Sequence, residues 1–200
     1  MKALFPILLT FTATFLYAQN TTPVLDGVVE DLEWKDAQNF TLDYEVDPGD
    51  NTPPPHQTKA YIKYTKTDLY VGFIAYADMN NFRSSIRNRD EGFRDDNVLF
   101  GFDAYGDGRY MIALGTTPEG NQIDVKVLPN GDDDNYDVNF ESKATKHENN
   151  YQVELKIPFA NLQLNERNKL ELGLDYRLDS FLENETRNHF WTSINWYLKL

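Results

Sequence analysis

The sequence predicts an all-β domain, a β-sandwich of antiparallel sheets of the immunoglobulin-like or jelly-roll-like kind. Three observations predict it. Apolar residues recur at every second position in short runs, the runs are bounded by clusters of Gly, Pro, Asn and Asp, and stretches of helical periodicity are scarce. A closed barrel is the alternative architecture with the same local pattern.

The elements follow in order. Residues 19–57 carry few regular signals: Asp47-Pro48-Gly49-Asp50 marks a turn, Pro53-Pro54-Pro55 an extended stretch, and residues 30–38 a short helical turn around Trp34. From Lys59 the chain alternates. Ala60, Ile62 and Tyr64 form one face of a strand, Lys66-Thr67-Asp68 a turn, and Leu69, Val71, Phe73 and Ala75 one face of the returning strand. The alternation recurs at Val98-Phe100-Phe102, Tyr110-Ile112-Leu114, Ile123-Val125-Val127 and Val153-Leu155-Ile157. It is longest at Leu170, Leu172, Leu174, Tyr176 and Leu178. Gly106-Asp107-Gly108, Pro118-Glu119-Gly120-Asn121 and Pro129-Asn130-Gly131 supply turns between these strands.

Ahead of this pattern, Lys2 and the apolar run from Ala3 to Phe15, closing on Ala18, read as a secretory signal over residues 1–18. The run is too short and too rich in Thr to span a bilayer. Residues 19–200 are then a single domain, large enough for one core. The expected location is exported: periplasm, outer-membrane surface or extracellular. With no cysteine, the domain must be held by its core, and thiol chemistry is excluded. Without Lys2, 18 basic residues stand against 32 acidic ones, a net charge of −14. Such a chain repels nucleic acid and anionic lipid and suits neutral ligands or divalent cations.

Catalytic constellations are not visible. His56, His147 and His189 are far apart in sequence and lack metal-ligand spacing, and no Gly-rich phosphate loop joins a strand to a helix. Acid pairs are abundant and therefore uninformative. Asp95 and Asp96 are adjacent, so on a strand they would point to opposite faces and make a poor pair for glycoside hydrolysis. The run from Asp132 to Asp137 resembles the start of a calcium loop. It has Val138 where an EF-hand needs Gly and Ala144 where it needs Glu, so it is not an EF-hand; it reads as an acidic turn, with an oxygen-rich calcium site of another kind as the alternative.

Aromatic residues are more informative. They make up 14% of the chain, more than a core of this size requires. Sugars stack their C–H faces on such rings while polar side chains take their hydroxyls. Trp34 is expected in the core. Phe93 stands among charges in Arg89-Asp90-Glu91-Gly92-Phe93-Arg94-Asp95-Asp96, and Trp191 and Trp196 lie in a polar segment near the C-terminus.

These residues also carry a resemblance. Pro23-Val24-Leu25-Asp26-Gly27 followed by Trp34 and Ala37, Asp68-Leu69-Tyr70-Val71-Gly72-Phe73, Asp96-Asn97-Val98-Leu99-Phe100-Gly101-Phe102-Asp103, Tyr151 to Phe159 and Leu172-Gly173-Leu174 resemble, in that order, family 9 carbohydrate-binding modules. Arg89-Asp90, Asp95-Asp96, Pro118 to Asp124 and Asn184-Glu185-Thr186 resemble the branch found at the amino terminus of large exported Gram-negative proteins. There a membrane-associated β-rich region follows. On that resemblance the chain stops at Leu200 inside the last strands, as a fragment or truncated product would.

The resemblance implies a β-sandwich that binds an oligo- or polysaccharide between two aromatic rings, with calcium as the candidate cofactor and no ligands assigned to it. Phe93 is expected as one ring, where sugar-binding members carry Trp, and Trp191 or Trp196 as the other. Arg89 and Asp96 are the expected hydroxyl contacts. The function expected is therefore non-catalytic sugar binding linked to carbohydrate catabolism. A packing or plug domain of a larger outer-membrane protein and a component of a polysaccharide hydrolase are the alternatives.

Overall fold

A computed structural model describes residues 21–45, 52–103 and 109–162, and the backbone of residues 171–177 and 190–194. The described residues form two five-stranded antiparallel sheets packed as a sandwich. Sheet 1 runs β1 (Gln38–Leu42), β2 (Thr58–Tyr64), β3 (Asp68–Tyr76), β8 (Asn150–Pro158) and β7 (Glu141–Lys146). Sheet 2 runs β10 (Phe190–Ile194), β9 (Glu171–Arg177), β4 (Asn97–Asp103), β5 (Met111–Thr116) and β6 (Gln122–Val127). The only α-helix among the described residues is α1 (Asp31–Trp34), where the sequence places a helical turn.

The main core lies between the sheets. Leu69, Val71, Phe73 and Ala75 of β3 face Val98, Phe100 and Phe102 of β4, joined by Tyr151, Val153, Leu155 and Ile157 of β8 and by Ile112 and Leu114 of β5. Each of these runs is apolar at every second residue, so one face of each strand is dry. Burying one such side chain contributes about 1.5–3 kcal/mol.

The outer face of sheet 1 is covered by the strap of residues 21–37. Trp34 and Val29 pack on Tyr70 in a second, smaller cluster, with Tyr61 and Ile74 at its edge. The Trp34 ring lies so close to Gly72 of β3 that a Cβ there would sit 3.1 Å from two ring atoms. Glu154 of β8, buried beneath the strap, accepts N–H bonds from Asp26 (2.9 Å), Gly27 (2.8 Å) and the Trp34 indole (3.0 Å). Trp34 is thus buried, as expected, but on the outside of a sheet and not between the two.

Three strand readings need correction. β1 and β7 are strands where no strand was expected: β1 carries only the short alternation Phe40 and Leu42, and β7 reads Glu-Ser-Lys-Ala-Thr-Lys, because an edge strand takes its order from a neighbour's hydrogen bonds. Tyr64 is exposed although its backbone still pairs with Leu69 of β3, because it is the last residue of β2, at the turn. In β6 the apolar row faces away from the main core. Ile123 aligns with Gly115 and Val125 with Ala113, while Gln122, Asp124 and Lys126 align with Thr116, Leu114 and Ile112. The expected turns at 47–50 and 106–108 and the signal segment lie outside the described residues.

Candidate functional site

The polar row of β6 is inward-facing at the open edge of the sandwich, so its groups need partners. The loop that runs from Arg83 to Asp96, between β3 and β4, provides them for Gln122 and Asp124, while Lys126 lies over the Tyr110 and Tyr136 rings. At its neck, the Asp96 N–H donates to the Arg83 carbonyl (2.9 Å). Asp95 is fully buried and receives Arg87 through Nε (2.7 Å) and Nη2 (3.1 Å), Arg83 through Nε (3.1 Å), and the Ser85 N–H (3.1 Å). Burial opposes the charge on Asp95, yet the hydrogen bonds and charges of Arg87 and Arg83 hold its pKa below the ordinary carboxylate value. Farther along, Asn121 of the β5–β6 turn accepts from the Arg87 N–H (2.9 Å) and donates to the Ser85 carbonyl (2.7 Å).

At the tip, Arg89 is the hub. Its guanidinium donates to Gln122 Oε1 (2.7 Å) and the Val138 carbonyl (2.7 Å), pairs with Asp124 Oδ1 (2.7 Å) and Asp137 Oδ1 (3.3 Å), and lies over the Phe140 ring. The buried Asp124 also accepts the Val138 N–H through Oδ2. Asp90 has a left-handed backbone (φ 63°), a conformation that Asp tolerates better than most residues. Its N–H donates to the Gln122 carbonyl (3.0 Å), and its Oδ1 accepts the Asp124 N–H (2.8 Å). Burial and the neighbouring Asp124 raise the Asp90 pKa to about 6.

The expected site residues fall as follows. Phe93 lies in the 3₁₀ turn Gly92–Arg94 and is half-buried. Gly92, just before it, presses on β6: a Cβ there would come 2.7 Å from Thr117 and 2.9 Å from Ile123. That contact covers the outward apolar row of β6. Arg89 keeps 34% of its side chain exposed; Nη1 donates to Gln122, and Nη2 serves the Val138 carbonyl and Asp124. Asp96 is fully buried, so in this conformation it offers no surface to a ligand. Trp191 occupies the register row Trp191–Asp175–Leu99–Gly115–Ile123, which is not the core row of Val98 and Thr116. That row runs across sheet 2 from β10 to the strand covered by Gly92. Four strand steps separate β10 from β6, the strand that Gly92 covers, about 19 Å. Trp196 lies outside the described residues.

Sequence reasoning missed Asp95, Asp124 and Asn121. Asp124 had a signal: a lone acid between Ile123 and Val125 demands a partner if its face is buried. Calcium fits poorly here. Asp90, Asp124 and Asp137 bring carboxylate oxygens within 4.8 Å of one another, an oxygen set of the kind calcium takes. Arg89 already stands against all three, and its charge repels a cation from that place.

Comparison with known proteins adds the family. The profile described as carbohydrate family 9 binding domain-like matches residues 25–197. The chain belongs to this family. No curated protein matches the chain. Among solved structures, a family 9 carbohydrate-binding module from Caldicellulosiruptor kristjanssonii in complex with cellotriose is similar in fold. It has a TM-score of 0.56 and 15% identity, over 84% of this chain and 80% of that one. A glucose complex of a family 9 module from the same organism gives a TM-score of 0.55 and 16% identity, over 84% and 81%. A protein assigned to carbohydrate binding from Bacteroides uniformis gives 0.60 and 9%, over 80% and 78%. The family 9 sandwich expected from the order of short motifs is therefore the fold of this chain.

Proposed function

We propose that this family 9 domain is a non-catalytic module that binds a neutral oligo- or polysaccharide on the outer side of sheet 2. The site lies between the loop of residues 83–96 and the row that ends at Trp191. The observation that carries this reading is Phe93: a half-buried ring held in a loop whose backbone is fixed by polar contacts on both sides. Half-buried Phe40, Phe82 and Phe159 pack on the main core, whereas Phe93 joins neither apolar cluster of the described residues. Phe93 supplies a stacking face, the exposed side of Arg89 a donor for hydroxyls, and Trp191 or Trp196 the second ring. Complexes of family 9 relatives with cellotriose and glucose support the ligand class. The acidic balance supports a neutral ligand over an anionic one.

Titration of the domain against a panel of neutral oligosaccharides tests this. Stacking on one ring is worth about 1 kcal/mol or somewhat more, so Phe93→Ala is expected to weaken binding by roughly fivefold or more. It should leave the fold intact, and Phe93→Trp should tighten binding. If no sugar binds at millimolar concentration and Phe93→Trp does not rescue it, the packing-domain reading replaces this one.

Export for use in carbohydrate catabolism belongs to the same proposal, supported by Lys2 and the apolar run to Ala18. Among the described residues no helix is long and apolar enough to cross a membrane. Expressed in a Gram-negative host, the mature protein is expected to begin at Gln19 or close to it. N-terminal sequencing of folded product that still starts at Met1 would overturn this.

A further inference from the structure

The loop that carries Phe93 has three groups of anchors, and they are not equivalent. Arg89 and Asp90 tie its tip to β6 and to the segment at Val138. Asn121 ties its middle to the β5–β6 turn. Asp95 ties the loop to itself. It sits two residues after Phe93, its N–H donates to the Gly92 carbonyl (3.0 Å), and its carboxylate draws in Arg83, Ser85 and Arg87 from the opposite arm. Both oxygens are occupied and the side chain has no exposed surface, while Arg83 and Arg87 remain 35% and 24% exposed. One buried carboxylate thus closes the loop on the 3₁₀ turn that presents the ring. Arginine paired through a planar fork fixes direction as well as distance.

We propose that Asp95 is the positioning residue of the candidate sugar site: by gathering Arg83 and Arg87 it holds the Phe93 turn in its binding shape before a ligand arrives. The proposal rests on the carbohydrate reading above and adds a residue that touches no sugar. A preformed platform avoids ordering the loop on binding. When the competent shape is only partly populated, apparent affinity falls by that fraction. The effect therefore enters through association. The contacts made once the sugar is bound are unchanged, so dissociation is not affected.

The test places 4-fluorophenylalanine at position 93 of the intact domain. It follows the fluorine resonance and the binding kinetics of the tightest neutral oligosaccharide from the panel, with cellotriose as the first probe. Wild type is expected to give one resonance. Asp95→Asn keeps the shape and removes the charge. It is expected to give a second resonance, to slow association on the order of tenfold if the closed shape falls to about a tenth, and to leave dissociation unchanged. Saturating sugar should return the second resonance to the wild-type position. Arg83→Gln removes one arm of the clamp and is expected to shift both readouts the same way by less. Should Asp95→Asn fail to fold, Arg83→Gln carries the test. An unchanged resonance and association rate in the folded variants overturn the positioning role and leave the carbohydrate reading standing. Wild type that binds no member of the panel removes the carbohydrate reading, and this proposal with it.

Discussion

The outer face of sheet 1 and the β6 edge of sheet 2 are each covered by a segment that precedes a strand, and the two covers are held by different physics. The strap of residues 21–37 lies on sheet 1 and is held by burial. Trp34 is 3% exposed, Gly72 makes room for its ring, and Glu154 takes up the indole and backbone N–H groups that burial would otherwise leave without partners. The loop of residues 83–96 lies on sheet 2 and is held by direction. Its anchors are Asp95 with Arg83 and Arg87, Asp124 with Arg89, and the amide of Asn121. The difference teaches what each cover is for. A cover held by burial spends its aromatic ring on the core. A cover held by hydrogen bonds and ion pairs fixes its backbone without using its ring, and Phe93 stays half-open to solvent.

If the contrast is right, the largest effect belongs to the strap. Trp34→Ala is expected to cost about 3–5 kcal/mol, as large buried aromatics cut to Ala do. Chemical denaturation measures it directly. A melt unchanged by the substitution would break the comparison, because the strap would then not be held by burial.

Removing one partner of the loop's ion pairs should cost less overall and act locally. Asp124→Ala leaves Arg89 short of a partner and the Val138 N–H without its acceptor. A loss of about 2–4 kcal/mol is expected, lower than for a wholly buried pair because Arg89 is a third exposed. Hydrogen exchange should quicken first in residues 87–94 and 134–140, ahead of the main core. Uniform loss of protection across both sheets would instead make this loop part of the global unfolding unit.

The smallest effect sharpens the electrostatic half of the comparison. Burial and Asp124 raise the Asp90 pKa to about 6, well above its value in an unfolded chain of about 3.9. Between those values the folded state holds a proton that the unfolded state lacks. Stability from this group therefore rises as pH falls through about 6, levels off below about 4, and is lost again as pH rises. Asp90→Asn imitates the protonated acid and keeps an oxygen for the Asp124 N–H. The variant should melt higher than wild type at pH 7, no higher at pH 4, and show a flatter profile between. Parallel pH profiles for the two proteins would remove the shift at Asp90 as their cause.

The sequence was legible where one physical force acts alone. In β3, β4, β5 and β8, alternation with a period of two marks the strand and the face that packs inward, and the structure keeps it at Leu69, Val71, Phe73, Phe100, Leu114, Val153 and Leu155. β7 was not legible, because nothing in Glu-Ser-Lys-Ala-Thr-Lys asks to be a strand until β8 offers its free edge. Phe93 and Arg89 were legible as a charged loop around a ring, but the tasks of Arg89, Asp95 and Asp96 were not. Whether a charged side chain meets solvent or another part of the chain depends on which distant residue arrives beside it.

By itself, then, the sequence determined the sandwich, the buried place of Trp34 and the family, since these follow from local periodicity and the order of short motifs. Only the tertiary structure decided which way β6 faces. Ile123-Asp124-Val125 permits either face to be the buried one. The apolar row turned outward because Gly92 and its loop cover Ile123 there. The polar row could turn inward because Arg89 reaches Asp124 and Gln122 from 33 or more residues away in sequence. Burial of a polar row is stable only when its partners come with it, and those partners come from distant parts of the chain.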